Sequence, residues 1–502
     1  MAIAAFALAF CPAAHAQTWR ITPSVGVEST LTSNVDLSPA DQRRSDWINQ
    51  FTPSVRFTES GAHTKLSGNI SVPMLVYART SENNYIAPQA DVTGTLEAID
   101  RFFFVDASAN VSQQYASPFG PRPTTLANAT QNRYTAQTYS VSPYIKGTSV
   151  NDLDYELLQK STWTDAAGIS TGLGSNRSYT SEIVGHLIGQ PRPGGWAVEY
   201  YRSDIKFTDQ NSESTEIGRV RAVYQPDPSY RLSVTGGYEV NHFFLTDEQG
   251  ATYGAGVEWH PNDRTGLNAS WEHRFFGPSY QVTFDHRTPL TVWSLKASRD
   301  MSSFPQQVAN LAPGVDVGSL LDGLFASRIT DPAQRQTLVN QLIRDRGLPS
   351  QLSGPLALFA QEFSLVESYS ATYGILGARN AIFFTAFRTR NEPLPGTEEA
   401  ALTALLTELT NTTQTGASVV WSHQLEPNLS LSTNATWSRS TENVGAQGTS
   451  RQFALSATLS RTLSALTSLY VGARFQRGDS NADIGTNYRE FAVLVGLTHT
   501  FH

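Results

Sequence analysis

Two similar triplets of ionisable residues, Glu272-His273-Arg274 and Asp285-His286-Arg287, lie on segments that are joined by the short link FFGPSY. A histidine beside a carboxylate can activate a serine nucleophile, so one interpretation is an ester hydrolase. No serine stands at a suitable position beside them. If both segments are strands, the carboxylates and arginines share one face and the histidines the other. We therefore favour a charge ladder that is structural or contacts a solute, and we expect no catalytic residue.

The other histidines and the cysteine give no metal-binding pattern. The ten histidines are scattered, without an HExxH sequence or a comparable ligand spacing. The only cysteine, Cys11, lies in an N-terminal segment that we expect to be removed, which leaves no thiolate ligand and no disulfide. We expect neither a metal nor a cofactor.

Residues 1–16 have the pattern of a secretory signal peptide. An apolar stretch is followed by Ala14-His15-Ala16, the small-x-small pattern that signal peptidase cuts. Phe10 stands before Cys11, where lipoprotein cleavage needs a small residue. We expect an exported mature chain that begins at Gln17 and carries no lipid. No later stretch has the ~18 consecutive apolar residues of a transmembrane helix.

Alternation of apolar and polar residues dominates the remaining chain. Clear examples are 103–111, with apolar residues at each odd position, and 469–475. Such segments run about 10 to 15 residues, which is longer than strands of globular sheets and fits strands that cross a bilayer at a tilt. Charged residues make up only 16% of the chain and aromatic residues 11%. A net charge of −8 without long basic runs gives no indication of nucleic-acid binding.

The links between the strands are sorted by length. Links after even-numbered strands are short, such as TESGAH and HPNDR, whereas those after odd-numbered strands are mostly long, such as 300–364 and 390–414. Outer-membrane barrels have this arrangement, with short turns and both termini at the periplasmic end. The sequence predicts an antiparallel transmembrane β-barrel over 17–502, with about 22 strands and a range of 20 to 24. A propeller or solenoid would repeat at a fixed period, and a sandwich would have shorter strands.

Strand parity predicts which side chains line the lumen. Pro23, Pro53 and Pro143 lie inside alternating segments, and we expect them near the periplasmic rim, where a missing N–H matters least. Inward-facing Tyr201 could stack on a sugar. The ionisable residues inferred to line the lumen are Asp106, Asp154, Glu156, Glu199, Glu258, Glu272, Arg274, Asp285 and Arg287.

The chain ends on an alternating stretch with Phe501 almost at its tip. In barrels the last strand closes against the first, and a terminal aromatic residue is part of the signal that the assembly machinery reads. Gly496, His499 and Phe501 fit the Gly-x-x-aromatic-x-aromatic spacing, with His499 in a position where an aromatic residue is commoner. We interpret these three residues as the assembly signal.

Helical patterns occur only in the two long insertions. In the first, Asp331 can cap a helix that starts at Pro332 and ends before Gly347. In the second, Thr397 can cap a helix with a leucine stripe over 402–409. Each helix could pack only on its own loop, or the two could form a shared lid or plug, because barrels of about 22 strands usually have an obstructed lumen.

Several stretches resemble outer-membrane proteins associated with the PEP-CTERM/exosortase system. The similar stretches include WRITPSVGVESTLTSNVDL, WHPNDRTGLNASWEHRFFGPSYQVTFDHRTPL, DPAQRQTLVNQLIRDRGLP and ILGARN. Members of that family occur with exopolysaccharide loci. The resemblance implies a Gram-negative outer membrane and an export pathway rather than a mechanism.

Three functions are compatible with these features. A gated conduit or anchor for an exported polysaccharide would need a wide, polar lumen of mixed charge, together with a gate. General or substrate-specific porins usually have about 16 to 18 strands, and an outer-membrane lipase would need the missing serine. We favour export, with outer-membrane lipid, the barrel assembly machinery, periplasmic export proteins and the polymer as partners.

Overall fold

The computed structural model describes residues 18–149, 152–167, 177–191, 193–207, 212–243, 246–304, 306–307, 316–326, 329–349, 351–356, 363–394, 411–443, 448–482 and 485–501. The expected signal peptide, 1–16, and the expected helix over 398–409 lie outside these residues. Most of the described chain is one antiparallel sheet that closes on itself.

The barrel has 22 strands, each paired with its neighbours in sequence, and the first strand also pairs with the last. The first eleven are β1 (Thr18–Thr32), β2 (Asp46–Ser60), β3 (Thr64–Ser71 and Met74–Tyr77), β4 (Tyr85–Ile86 and Gln89–Ile99), β5 (Phe103–Tyr115), β6 (Arg133–Thr148), β7 (Leu153–Ala167), β8 (Arg177–Gly189), β9 (Gly194–Phe207), β10 (Ser212–Asp227) and β11 (Tyr230–His242). The others are β12 (Asp247–Asn262), β13 (Thr265–Arg274), β14 (Gly277–Arg287), β15 (Thr291–Ser302), β16 (Ser364–Leu376), β17 (Asn380–Pro393), β18 (Thr412–Glu426), β19 (Leu429–Glu442), β20 (Thr449–Ser464), β21 (Thr467–Ser480) and β22 (Tyr488–Thr500). The predicted barrel and its strand number are confirmed.

Short turns join the strands at one end of the barrel, which we call the short-turn end, and it also holds both ends of the described chain. The opposite, long-loop end carries the insertions after β5, β15 and β17. In outer-membrane barrels the short-turn end faces the periplasm.

Two strands are interrupted where a proline cannot donate to the ladder. β3 is broken at Val72-Pro73, and the N–H of Val72 donates instead to the carbonyl of Pro53 over 3.0 Å. β4 is broken just before Gln89. The expected position of Pro53 near the periplasmic rim is wrong, because this residue lies midway along β2 and faces the break in β3.

The two faces of the barrel differ in chemistry, as strand alternation requires. Outward positions carry large exposed apolar side chains, among them Trp163, Trp259 and Trp437. Lumenal positions carry hydroxyl, amide and ionisable side chains, many of them buried, such as Thr138 and Thr162. An apolar outer surface around a polar interior is the arrangement of a barrel that spans a membrane.

The barrel closes where β22 pairs with β1, from Ser24 opposite Thr500 to Thr32 opposite Ala492. Tyr470 on β21 and Glu28 on β1 are both register partners of Gly496. The Tyr470 hydroxyl donates to the Glu28 carboxylate over 2.8 Å, so its side chain crosses the closing strand. A Cβ at position 496 would lie 2.2 Å from the tyrosine ring. Glycine is therefore required there.

Both α-helices of the described residues lie in the insertion between β15 and β16, residues 303–363, which we call the plug loop. Helix α1 is Val317–Phe325, and the Asp316 side chain caps it by accepting from the N–H groups of Gly318 and Ser319. Helix α2 is Pro332–Arg346, as its sequence predicts, and it ends at Gly347, which has a φ of +58°. No helix in the described residues has the length and apolarity needed to cross a membrane.

Candidate functional site in the barrel lumen

The plug loop enters the lumen immediately after β15. Phe304 packs against Tyr134, Ala136 and Ala166, which belong to β6 and β7 on the far side of the barrel. The Gln306 side chain donates to the Tyr201 hydroxyl on β9 over 3.0 Å. The loop therefore crosses the lumen instead of extending from the barrel. Its Gln306 takes up the hydroxyl of Tyr201, the residue that the sequence suggested could stack on a sugar.

The helices of the plug loop lie at the short-turn end of the lumen. Their apolar faces pack together and against the inner faces of β17 and β18 at the ends that adjoin the short turns. This cluster contains Val317, Leu320, Leu321, Val339, Leu348, Leu352, Ala381, Phe383 and Val420. A continuous apolar contact of this kind holds the helices against one wall.

Charged side chains attach the helices to each other and to the wall. Arg335 of α2 binds Asp322 of α1 over 2.6 Å. Arg287, at the end of β14, donates to the carbonyl of Gly323 over 2.6 Å. Arg346 donates to the carbonyls of two residues in the turn between β16 and β17 over 3.2 and 2.9 Å. Burial lowers the pKa of Arg346.

A second loop, 116–132, folds inward near the long-loop end. Arg122 donates to the Ser438 hydroxyl over 2.9 Å, and Gln452 donates to the carbonyl of Gly120 over 2.8 Å. Burial lowers the pKa of Arg122. This loop and residues 353–356 of the plug loop line one cavity of about 200 Å³. Two loops thus meet inside the barrel.

The wall opposite the helices borders open space. β6 and β17 are eleven positions apart, which is half of the 22-strand ring. A cavity of about 660 Å³ lies at mid-height along β3 to β7, with Gln351 of the plug loop on its other side. Hydroxyl and amide side chains dominate its lining, including Asn69, Ser108, Asn110, Ser112, Gln114, Thr138, Ser140 and Thr162, with Asp91, Arg133 and Lys160 as charged members.

A second cavity, of about 970 Å³, lies below the first at the short-turn end of β4 to β8. It is more strongly charged. Its ionisable lining residues are Glu97, Arg101, Lys146, Asp154, Glu156 and His186. The open side of the lumen therefore changes from charged at the short-turn end to mostly neutral and polar at mid-height.

The nine ionisable residues inferred from parity all lie at inward positions of their strands, but the structure separates them into groups. Asp154 and Glu156 line the cavity at the short-turn end. Glu199, Glu258 and Glu272 form ion pairs with lumenal arginines of β10 and β11. These pairs are Arg221 with Glu199 at 3.0 Å, Arg231 with Glu258 at 3.4 Å and Arg219 with Glu272 at 2.8 Å.

Sequence reasoning missed these three arginines and Glu239, although each occupies an inward position of a strand. Asp106 and Asp285 have no ion pair within the described part of the chain, and Arg287 holds the plug. The set is therefore a group of separate ion pairs and of carboxylates without an ion pair rather than one site.

Arg274 is the most buried of the predicted lumenal charges. Its guanidinium binds Glu239 and Asp300, each at 2.7 Å. Glu239 also accepts from the N–H of Phe275 over 2.8 Å. The Arg274 side chain is 7% exposed and that of Glu239 0%. Removing one partner would leave an uncompensated charge in the wall.

We expect Arg274→Met to lower the free energy of unfolding by about 3–5 kcal/mol, because Glu239 would remain buried without its cation. The matched control is Arg231→Met, whose partner Glu258 is 45% exposed, and it should cost less than about 1 kcal/mol. Urea unfolding of the barrel in lipid vesicles measures both. Equal effects of the two substitutions would contradict the role assigned to burial.

The histidines of the two opening triplets face outward. His273 stacks on Tyr253 with ring centroids 5.1 Å apart, and Nδ1 of His286 lies 2.9 Å from the Thr265 hydroxyl. A different set comes closer to hydrolase chemistry. Nδ1 of His242 lies 2.9 Å from Asp247, and Ser214 is the register partner of His242, but no hydrogen bond within the described residues joins this serine to the imidazole.

One group of potential metal ligands occurs within the described residues. His63, Glu97 and Asp100 lie at a short-turn rim with ligand atoms within 4.8 Å of one another. His63 and Asp100 are exposed, and Glu97 also accepts from the N–H of Arg101 over 2.6 Å. Exposed acidic groups of this kind are common without a metal.

No family model matches the chain. No curated protein matches it either. Among solved structures it is similar to the FrpB iron transporter from Neisseria meningitidis, F5-1 variant, with 8% identity and a TM-score of 0.48 over 96% of this chain and 82% of that one. The siderophore receptor PirA from Pseudomonas aeruginosa is 11% identical, with a TM-score of 0.43 over 96% of this chain and 80% of that one. OccK2 from Pseudomonas aeruginosa is 8% identical, with a TM-score of 0.37 over 96% of this chain and 98% of that one. The chain is a closed antiparallel β-barrel of 22 strands, with the apolar outer face and polar interior of a barrel that spans a membrane.

Proposed function

We propose that this barrel serves exopolysaccharide export, as a gated conduit or anchor for the polymer. The observation that carries the proposal is the asymmetry of the lumen. Packed helices cover the wall around β17, whereas the opposite wall around β6 borders cavities lined by hydroxyl and amide side chains. A gated conduit for a hydrated polymer needs both an element that can close the lumen and a polar surface along which the polymer can pass.

The chemistry of the open wall suits sugar hydroxyl groups. Serine, threonine, asparagine and glutamine both donate and accept hydrogen bonds, so they can replace the water around a passing sugar. Each such exchange has a small net free energy. A lining of this kind lets a polymer slide without holding it at one position.

The plug loop supplies the gate. Its helices are joined to the wall around β14 to β20 by the apolar cluster and by hydrogen bonds at the short-turn end. The start of the loop is held separately, by Phe304 on β6 and β7 and by Gln306 on β9. Displacing the helices would require the loss of the contacts around β14 to β20 but no change in the strand ladder. We propose that periplasmic export proteins, which would meet this end of the barrel, trigger that displacement.

The resemblance to the PEP-CTERM/exosortase-associated proteins supports the same pathway by association. Under this proposal the barrel resides in the outer membrane after its signal peptide is removed, and the barrel assembly machinery inserts it. The partners are then the polymer and its periplasmic delivery proteins. No step of the proposal requires a cofactor.

A porin is the second candidate, and the two open cavities favour it, because each could admit a small solute without movement of the plug. An outer-membrane lipase is the minor candidate, for which Ser214, His242 and Asp247 are the residues to test.

A locked plug distinguishes a gated conduit from a porin. A Cβ at Gly347 would lie 3.7 Å from the Cβ of Ser432, within the range of a disulfide. The sole cysteine, Cys11, lies in the expected signal peptide, so no native thiol would compete. We expect the double variant Gly347→Cys, Ser432→Cys to abolish surface polymer and accumulate it in the periplasm, as a clean deletion of the gene would. A membrane-permeant reductant should restore export.

The single variants Gly347→Cys and Ser432→Cys serve as controls. A side chain at the positive φ of Gly347 costs about 1–2 kcal/mol of backbone strain but breaks no contact of the plug, so both variants should export normally. Surface and periplasmic polysaccharide are measured in each strain, together with the uptake of a small solute. Normal polymer in the deletion strain with impaired solute uptake would favour the porin. Normal export by a fully oxidised double variant would refute the gate while leaving an anchoring role.

A further inference from the structure

Six arginines lie on the outer face of the barrel near the long-loop end of β17 to β22. We call them the arginine belt: Arg388, Arg390, Arg439, Arg451, Arg477 and Arg489. They share the outward parity of exposed apolar residues on the same strands, such as Phe384, Trp437 and Phe491. The belt therefore faces the surroundings of the barrel and not its lumen.

The height of the belt is set by aromatic residues. Arg439, Arg451, Arg477 and Arg489 each lie two positions beyond an exposed aromatic residue, on the side of the long loops. Those aromatic residues are Trp437, Phe453, Phe475 and Phe491. Outward aromatic girdles mark the level where the hydrocarbon of a bilayer ends. The belt thus lies just above the apolar band, at the level of lipid headgroups.

The register places like charges side by side. Arg439 is directly opposite Arg451, and Arg477 is directly opposite Arg489. Like charges in such positions destabilise a sheet. Arg477 has Asp479 at 2.7 Å, and Arg390 has Glu392 as its ion-pair partner. Within the described residues the side chains of Arg388, Arg439, Arg451 and Arg489 have no ion pair. Asp479 is also the register partner of Arg451, and Glu367 is that of Arg390. The six arginines thus meet three carboxylates, and the belt keeps a net positive charge.

Most outward-facing arginines elsewhere at this end have an ion-pair partner. On β7 to β10, Arg177 pairs with Asp165 at 2.9 Å, and Arg202 pairs with Asp204 at 2.9 Å and with Glu216 at 3.6 Å. Lys206 on β9 and Arg299 on β15 have no ion pair in the described residues, but each stands alone on its strand. The run of neighbouring arginines without an ion pair is therefore confined to one sector of the rim. A local anion would relieve the repulsion in that sector.

We propose that the arginine belt binds the phosphate groups of phosphorylated glycolipid in the outer leaflet. A guanidinium binds phosphate through two parallel hydrogen bonds, and neighbouring arginines can hold one phosphate between them. The acyl chains of such a lipid would lie along the apolar strands below the belt. A lipid fits better than a free anion, because both its phosphates and its chains meet complementary surface.

The test is a titration of detergent-purified, folded barrel with bisphosphorylated lipid A, followed by native mass spectrometry. Arg451→Gln should weaken binding about fivefold, since one basic residue near a membrane contributes on the order of 1 kcal/mol. The triple variant Arg439→Gln, Arg451→Gln, Arg489→Gln should weaken it about a hundredfold if the three contributions add. The matched control is Arg461→Gln, which lies on the same strand and outward parity as Arg451 but at the short-turn end, and it should bind normally.

Dephosphorylated lipid A should bind the wild-type barrel as weakly as bisphosphorylated lipid A binds the triple variant. Equal binding of the two lipids, or an equal loss in Arg451→Gln and Arg461→Gln, would overturn the proposal. Displacement of the lipid by inorganic phosphate at comparable concentration would also overturn it, because the belt would then be a site for free anions. A heat-modifiable gel shift confirms that each variant is folded.

Discussion

Removal of the plug loop is expected to raise single-channel conductance by roughly an order of magnitude, because a barrel of this strand number encloses a wide channel unless something fills it. Ser302 and Ser364 are the last register partners of β15 and β16. Residues 304–363 can therefore be replaced by a four-residue glycine-rich turn without disturbing the ladder. The intact protein should show low conductance in a planar bilayer, and the variant should show large, steady openings.

Two further variants locate the obstruction. The oxidised Gly347→Cys, Ser432→Cys variant should conduct no more than the wild type, since its plug is fixed in place. Shortening 395–410 to four residues tests the other predicted helical segment, which lies outside the described residues. Conductance that is unchanged when the plug loop is removed would leave α1 and α2 as packing elements without a role in closure.

The barrel was predictable because its determinants are local. Alternation fixes the faces of each strand, and turn composition fixes the end at which each link lies. The same reasoning gave helix α2, because Asp331, Pro332 and Gly347 mark its boundaries. Helix α1 was missed, although Asp316 precedes apolar residues at 317, 320, 321 and 324 with helical spacing. The helix is only nine residues long, so its apolar pattern covers few turns and is easily overlooked in a long insertion.

The arrangement inside the lumen was less predictable, because it depends on which walls face each other. Parity places Arg274 in the lumen, yet its partner Glu239 lies on a different strand, 35 residues earlier in the chain. Nothing local to Arg346 shows that it would reach the turn at Gly377. The prediction for Pro53 was wrong for a related reason, since the break in the neighbouring strand β3 decides where a missing N–H is tolerated.

We expect Phe501→Ala to remove nearly all folded barrel from the outer membrane while leaving the closed structure itself almost unchanged. The Phe501 side chain is 47% exposed and lies beyond the last residue of β22. Its N–H donates to the carbonyl of Pro23 over 2.8 Å, and alanine would keep this bond. The ring stands edge-on to His499 with centroids 4.8 Å apart and contributes little else. An exposed ring at this place serves recognition better than stability.

The matched control is Phe491→Ala, an outward phenylalanine of the same strand that is 54% exposed, and it should assemble normally.

Refolding of purified protein into lipid vesicles separates recognition from closure. Phe501→Ala should refold in vitro as the wild type does, whereas Gly496→Leu should fail both in cells and in vitro, because its side chain would collide with the Tyr470 ring. Deletion of 499–502 removes three register pairs of the closing strand, two with β1 and one with β21, and should behave like Phe501→Ala in cells. Normal amounts of folded Phe501→Ala barrel in the outer membrane would show that this residue is not part of the assembly signal.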